Sequence, residues 1–246
     1  MYYIIYDLEF NQKNNDFIEN EISQLNTIPF EIIQIGAIKL NENFETISTF
    51  NTLIKPTIYK SIHPFVENLT NITDAQVSSC RNFSAVYEDF LNFIGNDEAI
   101  LCVWGIVDIK ELIRNVKFYN LSASKITKYI DVQTYTSKYL NSAKNSRIGL
   151  KNAIELLNLP INGDFHDAYN DAYYTSEIFK TIYNPKIKPS VYTSNPCRRA
   201  IQAKEIVDTS SLIKQFEKMY NRDMTEEEKS IIKLAYYMGK TRQFIK

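Results

Sequence analysis

The sequence contains few cysteines and lacks any apolar run long enough to suggest a membrane span. Its three cysteines, Cys80, Cys102 and Cys197, form neither a CxxC pair nor the Cys/His spacing of a zinc site. This odd, scattered set argues against a disulfide framework and indicates reduced packing residues. No basic leader or cleavage site precedes the first apolar segment, so we expect a cytoplasmic protein without membrane association.

An excess of charge of one sign is also lacking, because the net charge is −1 over 246 residues. The charge is unevenly distributed, however. Residues 190–246 contain 11 Lys and Arg against 7 Asp and Glu, a net of +4, whereas residues 1–189 have a net of −5. Acidity in the larger part suits a metal site, and the basic C-terminal part could contact phosphate groups.

The sequence has no internal repeats and no low-complexity tracts, and its 44% hydrophobic composition suits a globular domain. Three predicted strands at 2–9, 30–40 and 44–54 form an antiparallel meander, and further strands are predicted at 98–103 and 129–132. Predicted helices lie at 64–69, 73–78, 83–94, 108–118, 132–142, 149–157 and 168–183. This order predicts an α/β fold with a mixed sheet flanked by helices.

The two prolines at 185 and 189 mark a domain boundary, because they end the helical pattern that precedes them. We therefore predict a domain at 1–183, a linker at 184–189 and a helical extension at 190–246. Two helices are expected in the extension, at 208–220 and 225–238. A helical pair that packs on the domain and an arm for a substrate or partner are equally compatible with this pattern.

Two carboxylates follow the first apolar run, at Asp7 and Glu9. Alternate residues of a strand point to one face, so these two side chains should stand side by side. Carboxylates on a core strand stay ionised only when a cation or strong donors neutralise them. Oxygen ligands suit Mg²⁺ or Mn²⁺, although an isolated Asp-x-Glu is more often the polar end of a strand.

A second polar group lies at His166 and Asp171, just before and inside the predicted helix at 168–183. A histidine on a loop, five residues ahead of a helical aspartate, can approach the same point from another direction. That arrangement suits a base beside a metal ligand. Each residue taken alone would also suit an N-cap aspartate and a solvated histidine.

A third acidic candidate is Asp108, which follows the predicted strand at 98–103 and begins the next helix. Open α/β sheets bind ligands at such transitions from strand to helix. An ordinary helix N-cap is an equally good interpretation of Asp108 by itself.

Taken together, these motifs resemble those of the DnaQ-like exonucleases, the DEDD type of the RNase H-like superfamily, in the subclass that uses a histidine. Residues 29–38 and Phe10 resemble the KapD-like and enhanced-RNAi-type exoribonuclease branch. A further segment is similar to the family's Leu-Thr-Gly-Ile-Thr motif, and it reads Leu69-Thr70-Asn71-Ile72-Thr73. Asn71 replaces the usual glycine there, and asparagine tolerates a positive φ. The resemblance covers residues 1–183.

The resemblance implies that Asp7, Glu9, Asp108 and Asp171 bind two divalent ions, Mg²⁺ or Mn²⁺. His166 would take a proton from the attacking water. The partners implied are 3′ ends of single-stranded RNA or DNA, with RNA slightly preferred and nucleoside monophosphates released. Three further residues are candidates for contact with the terminal nucleotide: Phe10, Asn11 and Ile35. Core packing is the more common role for an isoleucine such as Ile35.

Three other functions remain compatible with the sequence. One is proofreading or DNA-repair trimming by the same five residues. Another is a regulatory protein that keeps the fold and binds a nucleic acid or a protein. The third is an RNase H-like metallonuclease that cleaves internally.

Overall fold

The computed structural model describes residues 1–12, 28–142, 146–193 and 209–240, with side chains described through residue 236. The chain divides into two compact units, Met1–Ser194 and Asn195–Lys246. Among the described residues, no helix combines the length and the apolar character needed to cross a membrane.

The larger unit is built on a six-stranded sheet with the strand order β3-β2-β1-β4-β5-β6. The strands are β1 (Tyr2–Gln12), β2 (Phe30–Leu40), β3 (Thr46–Leu53), β4 (Ala99–Val103), β5 (Lys128–Asp131) and β6 (Ser190–Val191). Strands β1 to β3 form an antiparallel meander, and β1, β4 and β5 run parallel. This confirms the predicted mixed sheet.

Helices cover both faces of the sheet, which explains why its central strands are almost continuously apolar. One face packs against α3 (Phe83–Ile94) and α4 (Val107–Phe118). The other face packs against α5 (Val132–Tyr139), α6 (Leu150–Leu156) and α7 (Ala168–Ile182). Two short helices, α1 (Pro64–Thr70) and α2 (Asp74–Ser78), cover Ile33 at the end of β2.

Capping residues set the ends of the two short helices. The Nδ1 atom of His63 accepts a hydrogen bond from the backbone N–H of Phe65 at 3.1 Å, so this histidine caps α1. Asn71 ends the same helix at a φ of 58°, as expected for an asparagine in place of glycine. Thr73 and Gln76 form a reciprocal capping box at the start of α2.

Strand β1 is longer than predicted, because Asn11 and Gln12 still pair with Glu31 and Phe30 of β2. The connection between the first two strands therefore begins later than the sequence predicts, and residues 13–27 lie outside the described part. Strand β6 was not predicted. It pairs antiparallel with β5 over two residues, which is too short for a recognisable pattern.

The smaller unit contains α8 (Thr209–Tyr220) and α9 (Glu226–Lys240). The hydroxyl of Thr225 accepts a hydrogen bond from the N–H of Glu228 at 3.2 Å, and the Glu228 carboxylate accepts one from the N–H of Thr225 at 2.9 Å. This capping box starts α9, close to the start predicted at 225. Met224, just before it, is buried.

Candidate active site

Asp7 and Glu9 lie on the face of β1 that is covered by α7. Their cross-strand partners on β2 are Gly36 and Gln34, and Gly36 lies directly beneath the start of α7. A β-bulge follows Glu9 and changes the register of the pairing. Paired residues of an antiparallel ladder share a face, so both carboxylates point toward the N-terminus of α7.

Asp108 lies in the first turn of α4, after a turn in which Gly105 has a φ of 92°. The residue at the N-cap position is Ile106, whose side chain makes no capping bond. Asp108 therefore does not cap the helix, although its side chain is buried. A buried carboxylate without a capping role requires another source of stabilisation.

Asp171 lies one turn into α7, and its side chain is also buried. The N-cap of this helix is Asp167, whose Oδ1 atom accepts a hydrogen bond from the N–H of Asn170 at 2.9 Å. The Oδ2 atom of Asp171 accepts one from the backbone N–H of His166 at 3.2 Å. Its Oδ1 atom is buried and has no hydrogen-bond partner among the described residues.

His166 occupies a turn immediately before α7, with a φ of 64° and an exposed side chain. One ligand atom each of Glu9, His166 and Asp171 can be chosen so that all three lie within 4.8 Å of one another. The loop histidine and the helical aspartate thus meet beside the first strand, although they are more than 150 residues from it in sequence.

The four carboxylates are electrostatically coupled and poorly hydrated. Burial raises the pKa of Asp7 well above its ordinary value, and repulsion from Asp108, Asp171 and Glu9 raises it further. Burial, followed by repulsion from other carboxylates, raises the pKa of Glu9 to about 9. Burial is also the main cause that raises the pKa of Asp108 to about 8 and that of Asp171 to about 6. Full ionisation at neutral pH therefore requires added positive charge.

The chemistry of this site fits a divalent cation. Carboxylate oxygens are the preferred ligands of Mg²⁺ and Mn²⁺. The unpartnered Oδ1 atom of Asp171 is a buried oxygen that a cation would satisfy. Within the described ranges, Glu9, His166 and Asp171 form a group that could hold a metal ion.

Gly36 brings the start of α7 into direct contact with the sheet. A Cβ atom at this position would lie 2.2 Å from the carbonyl carbon of Ala168 and 2.2 Å from the nitrogen of Tyr169. Only glycine permits this approach of two backbones, and Asp171 is thereby held above β1. The signal in the sequence was a glycine within an apolar strand, which often marks such contacts.

Of the three predicted substrate contacts, only Phe10 has side-chain surface available. Phe10 is half-buried and packs against Phe30, with ring centroids 5.9 Å apart. The Asn11 side chain is fully buried; it donates to the carbonyl of Ser61 and accepts from the N–H of His63, each at 2.9 Å. Ile35 is fully buried in the hydrophobic core. Asn11 and Ile35 therefore act within the protein interior.

A polar cleft of about 450 Å³ adjoins His166. Five amide side chains line it, from Gln34, Asn51, Asn71, Gln76 and Asn170. Phe165, Ile72 and Leu53 add apolar surface, and the described lining includes no Lys or Arg. The cleft therefore suits an uncharged polar group with a flat apolar face better than a phosphate.

Comparisons with known proteins identify the family of the chain and its fold. The family model RNase_T, described as Exonuclease, matches residues 4–179. No curated protein matches the chain. Similar solved structures include the nuclease domain of 3'hExo, a DEDDh family member bound to rAMP. The TM-score is 0.64 at 19% identity, over 78% of this chain and 96% of that one.

Two further structures have the same fold. One is a 3'-exonuclease described in 3'-end specific recognition of a histone mRNA stem-loop, with a TM-score of 0.63 and 18% identity over 79% of this chain and 71% of that one. The other is E. coli Exonuclease I in complex with a dT13 oligonucleotide. It has a TM-score of 0.57 and 15% identity, over 74% of this chain and 40% of that one.

Proposed function

Because the chain belongs to the RNase_T family of exonucleases, we propose that it removes nucleotides from the 3′ ends of single-stranded nucleic acid. The reaction hydrolyses phosphodiester bonds and releases nucleoside 5′-monophosphates, with RNA slightly preferred over DNA. One observation carries the proposal: Glu9, His166 and Asp171 converge within 4.8 Å, and the carboxylates of Asp7 and Asp108 interact electrostatically with the same group.

Two divalent ions, Mg²⁺ or Mn²⁺, would be held by Asp7, Glu9, Asp108 and Asp171. When bound, such ions supply positive charge that stabilises the attacking and leaving oxygens of an in-line displacement. The protein contributes three buried carboxylates and the half-buried Asp7, and the ions would relieve their mutual repulsion. The attraction of the carboxylates to bound cations would offset their mutual repulsion, which accounts for four acidic residues at one site.

His166 is proposed as the general base that takes a proton from the attacking water. Its imidazole is exposed, whereas its backbone is held by the bond from its N–H to Asp171. A base must be neutral and within hydrogen-bond reach of the proton that it removes. The proximity of a His166 ring nitrogen to oxygens of Glu9 and Asp171, within 4.8 Å, supports this role.

The cleft beside His166 is a proposed site for the unpaired base of a terminal nucleotide. Amide side chains can donate to and accept from base edges, and an aromatic surface such as Phe165 can stack on a base. A base in a duplex has its edge occupied by its partner. The cleft therefore favours single-stranded ends, which is the proposed substrate.

We expect Phe10→Ala to raise the KM for a single-stranded oligonucleotide about fivefold or more, because stacking on an aromatic ring contributes about 1–3 kcal/mol per base. The kcat should change little, since Phe10 carries no proton and no metal ligand. Steady-state kinetics measures both constants. Tyr139→Ala, which removes an exposed aromatic at the end of α5, is the matched control. An unchanged KM for Phe10→Ala would exclude the contact.

The proposed activity is tested by time-resolved digestion of 5′-labelled single-stranded RNA and DNA with Mn²⁺. The expected product is a ladder that shortens from the 3′ end, faster for RNA. Asp7→Ala removes a proposed metal ligand and should slow the reaction by about a thousandfold or more.

Other product patterns would identify the alternatives. Internal fragments at early times would indicate an endonuclease. No cleavage of either substrate by a folded protein that binds Mn²⁺ would indicate a regulatory binding protein. A clear preference for DNA would favour proofreading or repair.

A further inference from the structure

We propose that Gln34 is a positioning residue, whose amide holds the His166 turn and the first residue of α7 in place relative to Glu9. Its effect on catalysis rests on the proposed function. Gln34 is buried on β2 and pairs with Glu9 of β1 across the antiparallel ladder. It is therefore part of the rigid sheet beside a proposed metal ligand.

The Gln34 amide makes two hydrogen bonds at the start of α7, one to the N-cap side chain and one to the first backbone N–H. Its Nε2 atom donates to Oδ2 of Asp167 at 2.9 Å, and its Oε1 atom accepts from the backbone N–H of Ala168 at 3.2 Å. Nε2 also donates to Oδ1 of Asn51 on β3 at 3.0 Å. The N-cap and the first residue of α7 are thus fixed to two strands through a single side chain.

This pair of contacts needs an amide of this length. The N–H of Ala168 is one of the helix-terminal donors that have no partner within the helix, so it needs an acceptor. The Asp167 carboxylate needs a donor. A glutamate at position 34 could only accept, and a leucine could do neither. Glutamine meets both needs without adding a charge beside Glu9.

The segment held in this way includes the strained turn at His166. Its φ of 64° lies in the left-handed region, which a non-glycine residue adopts only when its surroundings impose it. The bond from the His166 N–H to Asp171 is local to the turn and the helix. Gln34 instead connects Asp167, the next residue, to the sheet. It therefore sets the distance between the His166 turn and the Glu9 strand.

The main competing explanation is that Gln34 only stabilises the helix terminus. A double-mutant cycle separates the two roles, because a residue that acts through His166 loses its effect when the imidazole is absent. Purely structural destabilisation would lower activity equally in both backgrounds.

The experiment measures kcat and KM for the wild type, Gln34→Leu, His166→Ala and the double variant. We expect Gln34→Leu to lower kcat about 10- to 100-fold, because small misplacements of a catalytic group have effects of this size. The KM should stay within about twofold, because the Gln34 amide already donates to Asn51 and Asp167 and is not free to bind a base. The further loss in kcat on the His166→Ala background should be below about threefold. A full additional loss on that background, or an unchanged kcat for Gln34→Leu, would overturn the proposal.

If Gln34→Leu does not fold, Gln34→Met takes its place in the cycle, because methionine keeps the length of the side chain and adds no charge beside Glu9, while it removes the amide contacts to Asp167 and Ala168. Gln133→Leu is the matched control. It removes a half-buried amide, which donates to the carbonyl of Ile148 at 3.0 Å, and its kcat should equal that of the wild type. A kcat loss for Gln133→Leu as large as that for Gln34→Leu would contradict a specific role for Gln34.

A second readout does not depend on activity. The backbone amide of Ala168 should exchange with solvent at least about tenfold faster in Gln34→Leu than in the wild type, as measured by NMR. Gln133→Leu should leave that rate unchanged. If the wild type hydrolyses no substrate, the proposed function is wrong. The exchange rate at Ala168 would still test whether Gln34 holds the start of α7. Unchanged exchange at Ala168 in Gln34→Leu would show that the amide does not hold the helix.

Discussion

Asp108→Asn is expected to stabilise the metal-free protein at pH 8. Burial, with added repulsion from Asp171 and Glu111, raises the pKa of the Asp108 carboxyl to about 8. The unfolded chain loses this proton near pH 4, whereas the folded protein keeps it until about pH 8. The wild-type carboxyl therefore lowers the free energy of unfolding progressively as the pH rises through this window. Asparagine carries no such proton and removes the penalty.

The gain in the free energy of unfolding should be about 1–3 kcal/mol at pH 8 and should disappear near pH 4. Urea denaturation in the presence of a chelator, at both pH values, measures it. Asp97→Asn removes an exposed carboxylate and serves as the control, for which no comparable gain is expected. Equal stability of Asp108→Asn and the wild type at pH 8 would contradict the electrostatic account.

The same substitution should abolish nucleotide release, with kcat/KM lower by about a thousandfold or more. An amide lacks the negative charge that holds a divalent ion. A substitution that removes one of several clustered like charges is expected to raise stability and to lower activity. Loss of activity through unfolding would instead lower both.

Metal binding should become much stronger as the pH rises from 6 to 8. Over this range the carboxyls of Glu9 and Asp108 still carry protons in the metal-free protein, because burial and mutual repulsion raise their pKa values to about 9 and about 8. A cation must displace these protons. The affinity should therefore increase about tenfold per pH unit for each proton released.

Isothermal titration of Mn²⁺ in two buffers with different ionisation enthalpies measures both the affinity and the number of protons released. Glu9→Gln should reduce the number released by about one at pH 7, because the amide has no proton to lose. A chelator should reverse the binding. An affinity that is constant between pH 6 and 8 would show that the carboxyls are already ionised without metal.

Much of the fold could be predicted from the sequence, because its local signals are strong. The apolar runs of β1 and β2 identify strands buried on both faces, and the α3 boundaries at 83 and 94 agree with the structure. Alternation along β1 places Asp7 and Glu9 on one face, as expected. The left-handed conformation of Asn71 also follows from its position at the end of a helix.

Contacts between distant segments could not be predicted in this way. Gln34 and Asp167 are 133 residues apart, so no local pattern indicates their hydrogen bond. Asn11 was a candidate for contact with the terminal nucleotide, but its amide is buried and bonded to the backbone of Ser61 and His63. The domain boundaries at 183 and 189, the cytoplasmic location and the resemblance to the KapD-like branch stay predictions.

The contact at Gly36 joins two backbones, so the main chain itself sets the distance between β2 and the start of α7. No layer of side chains separates β2 from the start of α7, so any side chain at position 36 would move the start of the helix, and Asp171 with it, away from the sheet. The side chains at positions 7, 9 and 171 could be replaced by other metal ligands without changing this backbone contact. A one-residue insertion between Gly36 and Ala37 would instead turn every later side chain of β2 to the opposite face, including those that pack beneath α7.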